Sequence, residues 1–173
     1  KEVIDRLKQN MDDFYLFSHC PEDLDIVKEP FLDNALLVVA PEGHDLTRLP
    51  EISLQRLQHY PFVMREPGSG TRRSIEMFCK QHGITLQERM TIESNEAIKH
   101  AVAAGLGLAI LSRHTLDYTN ISGLVRLDVD EFPVTSEWYL VHARSRKLSK
   151  LAQTFHDFMQ EEGKALLLSL KGE

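Results

Sequence analysis

Residues 65–72 read Arg-Glu-Pro-Gly-Ser-Gly-Thr-Arg and combine the groups that a small anion site needs. A helical face follows at i, i+3, i+4, i+7 spacing: Ile75, Phe78, Cys79 and His82. A glycine-rich turn that opens a helix points free backbone N–H groups, and the positive end of the helix dipole, toward the space before it. Ser69 and Thr71 can donate hydroxyl groups, and Arg72 adds a cation.

Capping without any ligand is the competing interpretation of this turn. Ser and Thr commonly satisfy the free N–H groups at a helix start, and short motif matches have a high false-positive rate. The turn is not a nucleotide P-loop, because no Gly-Lys-Ser/Thr ending follows it. Taken alone, residues 65–72 therefore favour a simple cap.

A second segment, residues 91–112, repeats the pattern of strand, cap and helix. Ser94 and Asn95 are good cap residues, and Glu96 adds a first-turn carboxylate. The helical face that follows is Ile98, Ala101, Val102 and Gly105. Gly-Leu-Gly at 105–107 ends this helix before an apolar strand at 106–111, the reverse of the order in a dinucleotide-binding fingerprint.

Together the two segments resemble the effector-binding domain of LysR-type transcriptional regulators. Four runs carry the resemblance in the family's order: 29–46, 65–72, 94–99 and 103–114. Within that family, residues 11–15 and 94–99 look most like regulators of carbon fixation and inorganic-carbon uptake.

The resemblance implies an α/β fold of two Rossmann-like subdomains joined by crossover strands, as in type 2 periplasmic binding proteins. We expect regulatory subdomain I to comprise 1–35 plus 136–173, and subdomain II to comprise 36–135. Family members also carry an N-terminal winged helix-turn-helix, a linker helix and a first strand, helix and strand. None matches here, so we expect an N-terminally truncated domain.

The resemblance also implies an effector bound between the subdomains. The candidate effector-binding residues are the two turns and the residues that end the first strand: Ser69, Gly70, Thr71, Arg72, Ser94, Asn95, Glu96, Phe17, Ser18 and His19. Several anion-holding groups must converge, because micromolar affinity needs about 8 kcal/mol. Glu96 could equally be a dipole partner, and Arg72 could pair with a nearby carboxylate.

By resemblance the effector is a small anionic metabolite: a sugar phosphate, 2-oxoglutarate, 2-phosphoglycolate or NADPH. The same resemblance implies a homodimer, a tetramer of the full-length protein, and DNA binding only through the absent helix-turn-helix. A solute-binding protein of a transport system shares the fold and is the alternative function. We expect that the chain is not an enzyme, because its Ser, His and Asp residues are not accompanied by a Gly-x-Ser-x-Gly nucleophile motif.

Composition sets further bounds on the 173-residue chain. With 42% hydrophobic residues it can bury a core, and its 26 acidic against 20 basic residues give a net charge of −6. Basic residues are not concentrated in one stripe, so we do not expect this chain to bind DNA by itself. Cys20 and Cys79 predict ordinary buried thiols in a cytoplasmic protein, and no membrane span, signal peptide or metal motif is visible.

The remaining pattern predicts helices and strands in alternation, and therefore largely parallel sheets. We expect an extended segment over 26–40, interrupted at Pro30 and at Asp33-Asn34, and a short helix over 52–59. Another short helix is predicted from His114 to Tyr118. The final helix should carry one apolar stripe: Leu148, Leu151, Ala152, Phe155, Phe158 and Met159.

Overall fold

The computed structural model describes residues 2–117 and 122–169, and it has the α/β composition that the sequence predicts. Contacts divide the chain into two compact units. Unit 1 comprises Lys1–Asp33 with Glu137–Glu173, and unit 2 comprises Asn34–Ser136. The assignment of 1–35 plus 136–173 and of 36–135 to two regulatory subdomains stays a prediction.

Unit 2 contains the two predicted cap-and-helix segments. Strand β3 (Pro61–Met64) leads to helix α2 (Gly70–His82), and strand β4 (Gln87–Thr91) leads to helix α3 (Asn95–Ala103). β3 and β4 pair in parallel. Because both strands run the same way, α2 and α3 begin beyond the same edge of this two-stranded sheet.

The rest of unit 2 consists of antiparallel strands and short helices. The strand β2 (Ile26–Pro41) pairs antiparallel with β5 (Ala109–Ser112) through Leu36–Val39 and with β6 (Leu124–Leu127) through Val38–Pro41. The expectation of largely parallel sheets is therefore wrong for these strands. The 3-10 helices are Asp45–Arg48 and Leu54–His59, and α4 is Arg113–Asp117. The predicted end of α4 at Tyr118 lies outside the described residues.

Two apolar clusters hold α2 and α3 in place. Ile75 and Cys79 of α2 pack in a cluster with Phe62, and Phe78 packs partly against it. The predicted α3 face is buried against strand residues, with members Ile98, Ala101, Val102, Val39, Val63, Ala109 and Leu111. Gly105 is exposed instead, because with a φ of +78° it ends the helix and does not pack.

The predicted interruption of the 26–40 segment is wrong, since β2 is one continuous strand. Asn34 is only 2% exposed, and its side-chain amide forms hydrogen bonds with residues of other strands. Its Nδ2 donates to Ser136 Oγ at 3.1 Å, and its Oδ1 accepts a short hydrogen bond from Ser112 Oγ. A buried polar residue with these partners does not break a strand.

Unit 1 contains helix α1 (Glu2–Lys8) and strand β1 (Tyr15–Phe17), which pairs antiparallel with β7 (Val134–Ala143). Its C-terminal helix is α5 (Lys150–Phe158), a π-helical turn at Met159–Gly163 and α6 (Lys164–Ser169). The π-turn begins at Met159, the last residue of the predicted apolar stripe, so it does not divide that stripe. Of that stripe Ala152 is buried, whereas Leu151 is 80% and Phe155 47% exposed.

No helix among the described residues is both long and apolar enough to span a membrane.

Among the glycines described in unit 2, Gly107 lies closest to a neighbouring strand, and this gives a test of the fold. A Cβ there would lie 2.6 Å from the Pro61 carbonyl oxygen, at a φ of +152°. We expect Gly107→Ala to lower the free energy of unfolding by more than about 2 kcal/mol, because steric and backbone strain add. Urea denaturation measures this change.

Gly105→Ala is the matched control, because φ is also positive at +78° but nothing lies within 4 Å of its Cβ. Its cost should be limited to the roughly 1–2 kcal/mol of the left-handed conformation. Equal destabilisation by the two variants would contradict the close packing of residue 107 on β3.

Candidate functional site

The turn before α2 is a capped helix start. Ser69 is 8% exposed, and its Oγ accepts from the Arg72 N–H at 3.4 Å, while its carbonyl accepts from the Arg73 N–H at 3.0 Å. The first N–H groups of a helix have no intrahelical acceptor. The backbone N–H groups of Gly70 and Thr71 therefore remain the donors that this turn can offer to an anion, beside the positive end of the α2 dipole.

Arg72 lies in a network of carboxylates. Its Nε donates to Glu76 Oε1 and its Nη2 to Glu88 Oε2, each at 2.7 Å, while Nη1 donates to the Arg65 carbonyl at 2.9 Å. The hydrogen bonds that the guanidinium donates to Glu88 and Glu76 raise its pKa. Arg72 thus joins α2 to β4. Its pairing with nearby carboxylates is the alternative that the sequence left open. Its role as an effector ligand stays a prediction.

Arg65 connects the two capped turns, and the sequence-based list of site residues did not include it. Its Nε and Nη2 donate to the two oxygens of Glu66 at 2.8 and 2.9 Å, and its Nη1 donates to Asn95 Oδ1 at 2.7 Å. The turn before α2 and the start of α3 are therefore joined by one guanidinium. Arg65 follows β3 directly and is the first residue of the 65–72 turn. This position is the sequence signal that could have identified it as a site residue.

The start of α3 is capped in the same way. Ser94 Oγ accepts from the Ala97 N–H at 3.3 Å, and Asn95 Nδ2 donates to Thr115 Oγ1 at 3.4 Å. The side chain of Asn95 thus lies between Arg65 and the α4 residue Thr115. Of the predicted residues in unit 2, Asn95 is the one that the structure ties directly to the other turn.

Glu96 is the carboxylate partner of a fully buried lysine. Lys99 Nζ lies 2.7 Å from Glu96 Oε1 and donates to the Thr115 carbonyl at 3.1 Å. Lys99 occupies the α3 face that also buries Ile98. A lysine at such a position is a signal that sequence reasoning missed, because a buried ammonium requires partners.

Phe17, Ser18 and His19 belong to unit 1, at the end of β1. Phe17 packs partly against a core of Leu7, Tyr15 and Val141, and its ring stacks on Tyr15 with centroids 6.4 Å apart. Ser18 Oγ and His19 Nδ1 lie 3.3 Å apart. An effector-binding role for these three residues stays a prediction.

Among residues 2–117 and 122–169, no group of three or more His, Cys, Asp or Glu side chains is arranged to hold a metal ion.

The Arg65–Glu66 pair predicts a pH dependence of stability. The hydrogen bond from Arg65 is the largest cause that lowers the pKa of Glu66 below its ordinary value of 4.5. A lowered folded-state pKa adds stability above pH 4.5 that is lost as the pH falls through the folded-state pKa. Glu66→Gln should therefore reduce the free energy of unfolding at pH 7, and this deficit should shrink toward zero in acid. Denaturation at a series of pH values measures it.

The control is Glu51→Gln, an exposed carboxylate with no ion pair among the described residues. It should change stability little at any pH. A Glu66→Gln deficit that is the same at pH 7 and pH 3 would show that the ion pair does not contribute.

Comparison with known proteins agrees with this architecture. The family described as LysR substrate binding domain matches residues 1–164. The transcriptional activator CmpR of Synechocystis sp. is 41% identical over 170 residues, covering 98% of this chain and 56% of CmpR. A RuBisCO operon transcriptional regulator of Acidithiobacillus ferrooxidans is 42% identical over 158 residues, covering 91% of this chain and 51% of the regulator.

Among solved structures, the Synechocystis PCC6803 CcmR regulatory domain in complex with 2-PG matches with a TM-score of 0.86 and 38% identity. The match covers 93% of this chain and 79% of that domain. The chain spans about half the length of the curated relatives it matches. The relatives are named as transcriptional regulators, one of them of a RuBisCO operon, and with a family match over nearly all of its length this chain belongs to the LysR substrate-binding-domain family.

Proposed function

We propose that this chain senses a small anionic metabolite for a LysR-type transcriptional regulator of carbon-assimilation genes. The observation that carries the proposal is the likeness to a regulatory domain solved with 2-PG, at 38% identity and a TM-score of 0.86. A 2-phosphoglycolate-like effector, with a phosphate and a carboxylate, fits two capped turns that both present helix N-termini.

The physical support lies in unit 2. A helix N-terminus stabilises an anion by about 0.3–1 kcal/mol, and by up to about 2 kcal/mol when partly buried. A hydrogen bond to a charged group contributes roughly 1.5–3 kcal/mol. The α2 start, the α3 start and the Arg65 guanidinium are linked by the 2.7 Å contact to Asn95. On these figures the two helix starts and one guanidinium give at most about 7 kcal/mol. The roughly 8 kcal/mol of micromolar binding therefore requires further hydrogen bonds from the backbone N–H groups of the two turns.

The residues proposed to hold the effector are those of the two turns and of the β1 end: Ser69, Gly70, Thr71, Arg72, Ser94, Asn95, Glu96, Phe17, Ser18 and His19. We add Arg65 as the principal cation. Arg72 is 13% exposed and already satisfies two carboxylates and a carbonyl. Arg65 is bound by Glu66 of its own turn, which an incoming anion can replace.

The wider activity is part of the same proposal. Effector binding biases how a homodimer, or a tetramer of the full-length protein, presents N-terminal helix-turn-helix segments to DNA in the cytoplasm. Couplings of this kind need only about 1–3 kcal/mol. The curated relatives are named as transcriptional regulators, which favours a sensing role over an enzyme. The alternative of a transport solute-binding protein has no observation that favours it.

Calorimetric titration of the chain tests the proposal, with 2-phosphoglycolate, a sugar phosphate, 2-oxoglutarate and NADPH as ligands. We expect saturable binding of at least one of them, weakened by added salt because charge attraction supplies much of the affinity. Glycolate, which lacks the phosphate, is the control ligand for 2-phosphoglycolate. Absence of binding by all four would contradict the proposal.

Arg65→Gln then tests the proposed site. It should weaken binding of the responding effector by about tenfold or more, since it removes a charge-assisted hydrogen bond. Arg144→Gln is the matched control, because Arg144 forms an exposed pair with Asp25 in unit 1. Circular dichroism verifies that both variants fold. Equal affinities of the two variants would exclude Arg65 as the effector's cation.

A further inference from the structure

The carboxylate of Glu66 holds the edge of the Arg65 guanidinium that suits a bidentate anion. Arg65 Nε and Nη2 donate to the two Glu66 oxygens at 2.8 and 2.9 Å. Two parallel N–H donors of this kind match the paired oxygens of a carboxylate and of a phosphate. An effector phosphate that binds this edge of Arg65 must therefore first displace Glu66.

The position of the pair makes such a displacement possible. The side chain of Arg65 is 18% exposed and that of Glu66 28% exposed. Partial burial makes the pair stronger than a fully exposed one, because charges attract more strongly where less water lies around them. Partial exposure lets an anion from solvent reach Arg65, and lets a released carboxylate return to water.

The Glu66 carboxylate can leave without dismantling the turn. The turn uses the backbone of this residue, since the Ser69 N–H donates to the Glu66 carbonyl at 3.1 Å. Ser69 in turn caps α2, with its Oγ accepting from the Arg72 N–H. Arg65 also keeps its contact from Nη1 to Asn95. Rotation of the Glu66 side chain therefore frees the cation and leaves its mounting in place.

We propose that Glu66 is an internal competitor of the effector at Arg65. This role rests on the proposed function, because it requires that an anionic group of the effector binds the Arg65 guanidinium. The carboxylate occupies Arg65 in the free chain, and the effector's phosphate takes its place. A protein whose binding-competent form is only partly populated binds its ligand more weakly by that fraction. Glu66 thus raises the effector concentration at which the domain responds.

Calorimetric titration with 2-phosphoglycolate compares the unmodified chain with Glu66→Gln. Glutamine keeps the shape of the side chain and removes its charge. The affinity should rise about two- to fivefold, as expected when one competing ion pair is lost. A merely structural role predicts the opposite sign, because the same substitution destabilises the turn at pH 7 and would then weaken binding.

Two further variants locate the effect. Glu93→Gln removes one negative charge from an exposed position close to the start of α3, and should change the affinity by less than about twofold because solvent and salt screen that charge. In a chain that already carries Arg65→Gln, Glu66→Gln should no longer raise the affinity, because the cation for which it competes is gone. Circular dichroism verifies that each variant folds.

Nuclear magnetic resonance of the unmodified chain observes the displacement without any substitution. With glutamate carboxyl carbons isotopically labelled, saturation with 2-phosphoglycolate at pH 7 should shift the Glu66 signal, because its two hydrogen bonds from Arg65 are lost. The Glu93 signal is the internal control and should stay in place.

Three results would each overturn the competitor role and leave the proposed function intact. They are an affinity of Glu66→Gln no higher than that of the unmodified chain, a rise that persists beside Arg65→Gln, and a Glu66 carboxyl signal that does not move at saturation. Absence of binding by the unmodified chain and by Glu66→Gln would overturn both proposals.

Discussion

The hydrogen bond from Arg65 Nη1 to Asn95 Oδ1, at 2.7 Å, is the interaction on which the candidate site depends. The two turns that it connects lie 30 positions apart in the sequence, each after one strand of the parallel β3–β4 pair. Parallel strands bring both helix starts to one edge of the sheet. The guanidinium then fixes their spacing, because its planar fork also binds both oxygens of Glu66.

The support behind this contact is a second polar network within unit 2. Asn95 contacts Thr115, and the buried Lys99 ammonium binds the Thr115 carbonyl and Glu96. Removing a lysine partner from such a site costs more than the contact itself contributes, because the charge remains buried. In the described part of the chain, no buried side-chain nitrogen or oxygen lacks a hydrogen-bond partner. The α3 start is therefore held by satisfied polar contacts as well as by the apolar cluster around Ile98.

Local chemistry was predictable from the sequence, and contacts between distant residues were not. Ser69 and Ser94 cap their helices as their residue types indicate, and Ile98, Ala101 and Val102 are buried as their spacing predicts. The continuity of β2 was missed because Asn34 is satisfied by Ser112 and Ser136, 78 and 102 positions away. The pair of Arg72 with Glu76 follows from its i,i+4 spacing, but the partners Glu88 of Arg72 and Asn95 of Arg65 lie 16 and 30 positions away. Three residues of the predicted apolar stripe, Leu151, Phe155 and Phe158, are exposed instead of buried.

The central proposal is that the backbone N–H groups that open α2 and α3 hold a small anion. Nuclear magnetic resonance of the isotopically labelled chain, titrated with 2-phosphoglycolate, observes those groups directly. We expect the largest saturable shifts at the amides of Gly70, Thr71 and Asn95. Saturable binding that leaves these three amides unchanged and shifts others would contradict it.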